Sequence, residues 1–226
     1  MQEMDKKVEW HLKRLQGRSA QTRYASAVAL GKLEAKEALE PLIAALQDPD
    51  ITVRAGAAYG LERLRDSRAS APLLTALQAN NDPFVHFHIS MALAEIRNVQ
   101  DVEPLLARLQ DSDPEVRAYT AQALCAFRDE RVVLSLIEAL RDENTFVIRC
   151  AAQTLGTLGA TQALEPLIAT LQHPVYDVRE SAASALGEIG DARAVPALMA
   201  TLQDSADCVR DTAVFALKRM GFLSPN

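Results

Sequence analysis

Residues 40–70, EPLIAALQDPDITVRAGAAYGLERLRDSRAS, form one unit of a pattern that recurs about every 31 residues along this chain. Self-similarity at this period is typical of solenoids, in which each unit is too small to bury its own apolar face and stacks on its neighbours. One leucine marks the same position in seven successive units: Leu15, Leu46, Leu77, Leu109, Leu140, Leu171 and Leu202. The repeat therefore indicates the fold class before any single residue is considered.

Two helices are predicted within this unit. Apolar residues recur at helical spacing in 41–47 behind Pro41, which suits a first helical turn because its nitrogen needs no partner there. The turn formers of residues 48–50 then interrupt the pattern. A single apolar stripe returns in 51–64 and predicts a second helix, with its members at Val53, Ala57, Leu61 and Leu64.

The segment Asp177 to Gly190, DVRESAASALGEIG, carries this second helix in its most regular form. A loop Asp, then Val-Arg, then Ala-Ala-x-Ala-Leu-Gly-x-Ile-Gly resembles HEAT-like repeats, in particular the short type found in phycobilin lyase subunits and in many bacterial and archaeal scaffold proteins. The resemblance covers about the whole chain and implies an all-α fold, a right-handed α-solenoid of about seven two-helix repeats. It says little about activity, because one solenoid can support many functions.

We predict a single HEAT-like repeat domain over residues 1–226. An N-terminal cap unit and a C-terminal cap unit, closed by the segment 222–225, enclose five regular repeats. The predicted bounds are 1–39 for the first cap, 40–70, 71–102, 103–133, 134–164 and 165–195 for the repeats, and 196–226 for the last cap.

The resemblance also implies a role for the arginine that opens each second helix. In this family that arginine and a loop carboxylate form a ladder between repeats, and partly buried charges persist only when they are paired. These residues are therefore expected to be structural rather than a basic binding patch. The arginines are Arg23, Arg54, Arg117, Arg179 and Arg210, and the loop acids are Asp48, Asp111, Asp142 and Asp204.

The composition is that of a soluble globular protein with a sizeable core, with 49% hydrophobic and 24% charged residues among 226. A net charge of -6 argues against binding to nucleic acid or to an anionic membrane, since both need a clustered basic surface. No apolar run approaches the roughly 20 residues of a membrane span, and the first residues lack the apolar core of a signal peptide. We expect a cytoplasmic location.

Two units depart from the pattern. The third gains one residue within 80–83 and has His86 in the position of the ladder arginine, while the fifth has Ile148 there. The second helices are expected to line the concave wall in this family, and the first half of that wall collects aromatic residues although these make up only 5% of the chain. Such side chains favour binding surfaces because they offer large contact area with few rotors to freeze.

These departures predict a partner-binding groove centred on the third to fifth units. Acidic residues, namely Glu180, Glu188 and Asp211, mark the far end of the same wall. The alternative is that Phe84, Phe87 and Phe146 merely pack between repeats. The residues assigned to the groove are Tyr59, Phe87, His88, Met91, Tyr119, Arg149 and Cys150.

Catalytic chemistry has little support in the sequence. Packed helices lie about 8–10 Å apart, which places His88 and Cys150, two units apart, far beyond the roughly 3 Å that a nucleophile and its base require. His86 and His88 point to different faces of one helix, so a metal pair is not expected. With Cys125 and Cys208 the cysteines number three and are widely spaced, which argues against a disulfide scaffold and a zinc site. We predict no catalytic residue, metal or cofactor.

Two functions follow from the sequence. The favoured interpretation is a non-catalytic scaffold that binds a protein partner along the wall of second helices, with the acidic end selecting basic residues. The alternative is a subunit resembling phycobilin lyases or their relatives in phycobilisome turnover, which would hold a linear tetrapyrrole. In that case Arg149 would pair with a propionate and His88 or Tyr119 would contact the pyrroles.

Overall fold

The protein is described by a computed structural model over residues 2–80 and 82–223. Asn81 of the third-unit insertion and the residues 224–225 of the predicted closing segment lie outside these ranges. The described residues form no strand and fourteen α-helices: α1 (Gln2–Leu15), α2 (Ala20–Lys32), α3 (Leu39–Ala45), α4 (Ile51–Leu64), α5 (Ser70–Ala79), α6 (Pro83–Ile96), α7 (Val102–Arg108), α8 (Pro114–Ala123), α9 (Glu130–Ala139), α10 (Thr145–Leu158), α11 (Leu164–Thr170), α12 (Tyr176–Ile189), α13 (Val195–Thr201) and α14 (Asp207–Arg219).

The prediction of an all-α fold of two-helix repeats is confirmed. Odd-numbered helices are the first helices of the repeats and even-numbered helices are the second. Short 3-10 turns lead into α3, α5, α7, α11 and α13 at residues 36–38, 67–69, 99–101, 161–163 and 192–194, and a further one follows α8 at 124–126.

Local chemistry sets the ends of the second helices. Side-chain oxygens at the residue before four of these helices accept hydrogen bonds from backbone N–H groups of the first turn, which otherwise lack partners. These capping residues are Asp50, Asp82, Asp113 and Asn144. At the other end, α10 and α12 stop at Gly159 and Gly190, which adopt the left-handed conformation that glycine tolerates best, with φ of 64° and 71°.

The core consists of aliphatic side chains from both helices of each repeat. Leu42 of α3 and Val53 and Leu61 of α4 are fully buried, as the apolar spacing predicts. Six of the seven marker leucines are buried, and Leu202 is half-buried. The marker position is therefore a core position in every repeat but the last of this chain.

Small residues let the second helices approach one another closely. A Cβ atom added at Gly31 of α2 would lie 2.6 Å from the Cα of Gly60 on α4, and one added at Gly187 of α12 would lie 2.6 Å from the Cβ of Ala216 on α14. Real Cβ atoms do not tolerate such distances, so the glycines are required at these crossings.

The contacts divide the chain into two compact units, Met1–Leu105 and Leu106–Asn226. In the first unit, α2 packs on α4 and α4 on α6; in the second, α8, α10, α12 and α14 pack in that order. Most first helices pack on the second helix of their own repeat. Exposed side chains of the second helices thus form one surface in each unit, which we call the second-helix surface.

The first helices begin at residues 39, 70, 102, 130, 164 and 195. The predicted repeat bounds therefore fall within the first turn of each helix, or four residues after its start in the case of α9. No described helix has both the length and the apolar character needed to cross a membrane.

Candidate binding surface on the second helices

Three arginines join successive repeats through paired hydrogen bonds. In each pair Nε and Nη2 donate to the two carboxylate oxygens over 2.7–2.8 Å, and Nη1 donates to carbonyl groups of the loop before its own helix. Hydrogen bonding from the guanidinium lowers the carboxylate pKa, to about 2 for Asp204. The pairs are Arg23 with Asp48, Arg117 with Asp142, and Arg179 with Asp204.

Three other residues assigned to the ladder make different bonds. Arg54 donates to backbone carbonyls of its own loop, Asp111 accepts from Arg108 of its own repeat at 2.6 Å, and Arg210 pairs with Asp207 at 2.5 Å. The prediction of a carboxylate partner in the next repeat is therefore wrong for Arg54, because the position of that acid holds Ala79.

Four rings gather where α4 and α6 meet in the first unit, and we call them the His88 cluster: Tyr59, Phe84, Phe87 and His88. The centroid of the His88 ring lies 4.9 Å from that of Phe84, 5.1 Å from that of Phe87 and 6.4 Å from that of Tyr59, with interplanar angles between 71° and 90°. These edge-to-face arrangements are the favourable ones for aromatic pairs.

The His88 cluster is open to solvent on one side. Phe84 remains 51% exposed, while Tyr59, Phe87 and His88 are half-buried. Burial lowers the pKa of His88 below its usual value, so the ring is neutral at pH 7. The cluster is therefore a predominantly apolar surface with no charge of its own.

Two neighbouring residues extend this surface. Tyr24 of α2 is 39% exposed, and its ring lies against Gly56 of α4, where an added Cβ would come within 2.7 Å of Cδ2. Met91, one turn after Phe87 on α6, is half-buried. The aromatic second-helix surface of the first unit thus spans α2, α4 and α6.

The second unit places the remaining predicted residues on a more polar surface. The rings of Tyr119 on α8 and Phe146 on α10 lie 5.6 Å apart. Arg149 is 45% exposed and only 3.8 Å from a carboxylate oxygen of Asp177. A cavity of about 240 Å³ adjoins this pair, lined by Arg149, Gln153, Asp177, Glu180, Ser181, Ser184 and Thr212.

Cys150 does not belong to the exposed second-helix surface. It is only 7% exposed, and burial raises the pKa of its thiol to about 11. The same position of the repeat is buried at Gly56 as well, because the neighbouring second helix approaches closely there. The prediction that Cys150 anchors a partner is therefore wrong.

Phe84 was not assigned to the groove from the sequence, which offered it only as a residue that packs between repeats. In the structure it is 51% exposed and belongs to the His88 cluster. Its position, two residues before the ladder arginine, holds Asp177 in the sixth repeat and Phe146 in the fifth, and both also border the second-helix surface. The phenylalanines at this position in the third and fifth repeats are the sequence feature that could have assigned Phe84 to the surface. Among the described residues no group of three or more His, Cys, Asp or Glu side chains could hold a metal ion.

Comparison with known protein families identifies one family over most of the chain. A family model described as HEAT repeats matches residues 8–99, 102–179 and 151–218. No curated protein sequence matches the chain.

Three solved structures share the fold at low sequence identity. The complex of CpcE and CpcF of phycocyanin lyase from Nostoc is 22% identical with a TM-score of 0.61, covering 96% of this chain and 94% of that one. The YibA protein of Escherichia coli is 23% identical with a TM-score of 0.62, covering 95% and 82%. Human deoxyhypusine hydroxylase, solved with glycerol, is 23% identical with a TM-score of 0.50, covering 95% and 84%. These likenesses concern the fold alone.

Proposed function

Because this chain belongs to the HEAT-repeat family, we propose that it is a non-catalytic interaction scaffold that binds a protein partner through its second-helix surface. The observation that carries this proposal is the His88 cluster, where Phe84 is 51% exposed against the ring of His88. An exposed phenylalanine in an aromatic patch is unfavourable in water and favourable once a partner covers it.

The geometry of the cluster suits an interface. Its rings are held by one another, so little side-chain entropy is lost when a partner binds. Aromatic residues at the centre of an interface contribute a large share of the binding energy. The neutral His88 adds a polar atom, Nδ1, that is buried and meets no hydrogen-bond partner among the described residues.

Charge on the second unit indicates which partners are favoured. Glu180 and Glu188 are half-buried and Asp211 is exposed on the second-helix surface, where Asp177 offsets the exposed Arg149. A surface with this excess of carboxylates attracts basic residues and repels acidic ones. We therefore propose that a partner segment that contacts the second unit carries lysine or arginine.

The second candidate is a subunit that handles a linear tetrapyrrole. It is supported by the fold likeness to phycocyanin lyase and by the exposed guanidinium of Arg149, which could pair with a carboxylate. The cavity beside Arg149 measures about 240 Å³, below the roughly 300–1,000 Å³ of ordinary small-molecule pockets. The scaffold is therefore the function that the geometry supports better.

Affinity capture from cell lysate tests the scaffold against the bilin subunit. Wild type is compared with Phe84→Ala and with Phe222→Ala, a control whose side chain is 50% exposed, nearly the same as that of Phe84. We expect a colourless protein that wild type and Phe222→Ala retain and Phe84→Ala loses. Equal retention by all three would contradict the proposed surface, and an eluate with visible absorbance would favour the tetrapyrrole.

A further inference from the structure

The ladder is interrupted at one arginine that does have a following repeat. Arg54 occupies the ladder position of α4, and its Nη1 donates to the carbonyl groups of Asp48 at 2.9 Å and Pro49 at 3.2 Å, as in the paired arginines. Its Nε is buried and meets no hydrogen-bond acceptor among the described residues. In the three complete pairs that same atom donates to a carboxylate of the next repeat.

The third repeat has Ala79 at the position of this carboxylate, and no acid replaces it in the next residue. Its loop holds Asn80, and the side-chain Nδ2 of Asn80 donates to the carbonyl of Ala76 at 2.6 Å. The backbone carbonyl of Asn80 lies 2.5 Å from Nε2 of His86, which stands in the ladder position of α6. The side-chain Nδ2 and the backbone carbonyl of Asn80 are thus both engaged within its own repeat.

A cavity of about 510 Å³ opens beside Arg54, lined by Gln47, Asp48, Pro49, Arg54, Ala79, Asn80 and Asp82. The two carboxylates of this lining already have partners. Asp48 accepts from Arg23, and Asp82 accepts from the backbone N–H groups of Phe84 and Val85 at the start of α6. The charge of Arg54 is therefore not matched by a carboxylate of the described chain.

We propose that Arg54 and this cavity bind a carboxylate group supplied from outside the chain. The carboxylate lies side-on to Nε and Nη2, as that of Asp204 lies against Arg179 at 2.7 Å. Bidentate guanidinium–carboxylate pairs are among the strongest hydrogen-bonded pairs in proteins. The neighbouring carboxylates of Asp48 and Asp82 favour a singly charged group over a phosphate dianion.

The site differs in place from the second-helix surface, since most of its lining residues lie in the turns between first and second helices. Because Nε is buried in the free protein, the incoming carboxylate must displace part of the cavity wall, and binding by a small anion is therefore weak. A free small carboxylate and the carboxylate of a peptide share this chemistry, and titration with acetate and with peptides separates them.

Nuclear magnetic resonance of the Arg Nε–Hε groups in nitrogen-15-labelled wild type tests the proposal directly. Acetate is titrated while sodium chloride keeps the ionic strength constant. We expect a saturable shift of the Arg54 signal at least threefold larger than that of Arg179, whose site is filled by Asp204. A response of Arg54 no larger than that of Arg179 would overturn the proposal, as would a larger response to inorganic phosphate than to acetate.

Two peptide probes separate the sources of the carboxylate. One is blocked at both ends and carries a single glutamate; the other replaces that glutamate with glutamine and has a free C-terminus. A larger Arg54 shift with either peptide than with acetate at equal concentration assigns the site to a peptide carboxylate. A response to acetate alone assigns it to a small free anion.

Asn80→Asp provides the matched control variant. The introduced carboxylate is expected to turn towards Arg54, because it can no longer donate to the carbonyl of Ala76, and to abolish the acetate response of Arg54. An undiminished response in this variant would place the carboxylate elsewhere and overturn the assignment.

Discussion

Arg117 on α8 and Asp142 in the turn before α10 form a two-bonded ion pair between successive repeats, with Nε and Nη2 each 2.8 Å from one carboxylate oxygen. The two side chains are only 10% and 12% exposed. Such a pair holds the loop of one repeat against the second helix of the repeat before it. The pair therefore fixes the position of one repeat relative to the next. Removing one partner is costly, because it leaves the other as a buried charge.

Removing the arginine of this pair is expected to destabilise the second unit. Arg117→Met should lower the free energy of unfolding by about 2–4 kcal/mol, since Asp142 is left partly buried without its partner. Urea unfolding followed by circular dichroism measures the change. The control is Arg193→Met. The side chain of Arg193 is 67% exposed in its ion pair with Asp191, so this substitution should lower the free energy of unfolding by at most about 1 kcal/mol. Similar losses for the two variants would contradict the structural role of the ladder.

Acid sensitivity follows from Asp204. Arg179 holds its pKa at about 2 in the folded protein, whereas an unfolded aspartate titrates near about 3.9. The folded state binds this proton less readily, so the pair stabilises fully above about pH 4 and loses its contribution as the pH falls towards 2. Asp204→Asn should be less stable than wild type at pH 5 and show a smaller further loss between pH 4 and pH 2. Parallel stability curves for the two proteins over this range would contradict the assignment.

The close crossing of α12 and α14 depends on Gly187. Gly187→Ala should cost about 1–3 kcal/mol of stability, because the added Cβ would lie 2.6 Å from that of Ala216 and the helices must separate. Ser184→Ala, at an exposed position of the same helix, is the control and should change stability by less than about 0.5 kcal/mol. Thermal unfolding of the two variants provides the comparison, and equal melting temperatures would refute the close crossing.

Thiol reactivity should reflect burial. Cys150 is 7% exposed with a pKa of about 11, while Cys125 and Cys208 are half-buried. Since the thiolate is the reactive form, Cys150 should be alkylated by iodoacetamide at pH 8 at least tenfold more slowly than in the urea-unfolded protein. Peptide mass spectrometry resolves the three sites. Labelling of native Cys150 at the unfolded rate would show that it is accessible after all.

The repeat period was sufficient to predict the fold class, because helical spacing, turn residues and marker leucines all agree in each unit. The ladder followed the same logic where the repeats are regular, as at Arg179. It failed at Arg54, because the position of the acid in the third repeat holds Ala79. Spacing locates that position, but the burial of Nε of Arg54 without an acceptor among the described residues depends on packing, which periodicity does not encode.

The candidate binding surface was predictable only in part. Tyr59, Phe87 and His88 were assigned to one groove, and the structure brings their rings together with Phe84. Cys150 was misplaced because the rotation of a helix about its axis, and the closeness of its neighbour, decide which side chains of a row are covered. These features arise from packing between repeats rather than from spacing within one.

Photo-crosslinking from position 84 is the most direct test of the central claim. A photoreactive phenylalanine analogue replaces Phe84 in one protein and Leu134 in another. Leu134 is 55% exposed and lies on α9, which is the first helix of its repeat. If the second-helix surface binds the partner, the protein captured by wild type should be crosslinked from position 84 and not from position 134. Equal crosslinking from both positions, or crosslinking from position 134 alone, would contradict the account.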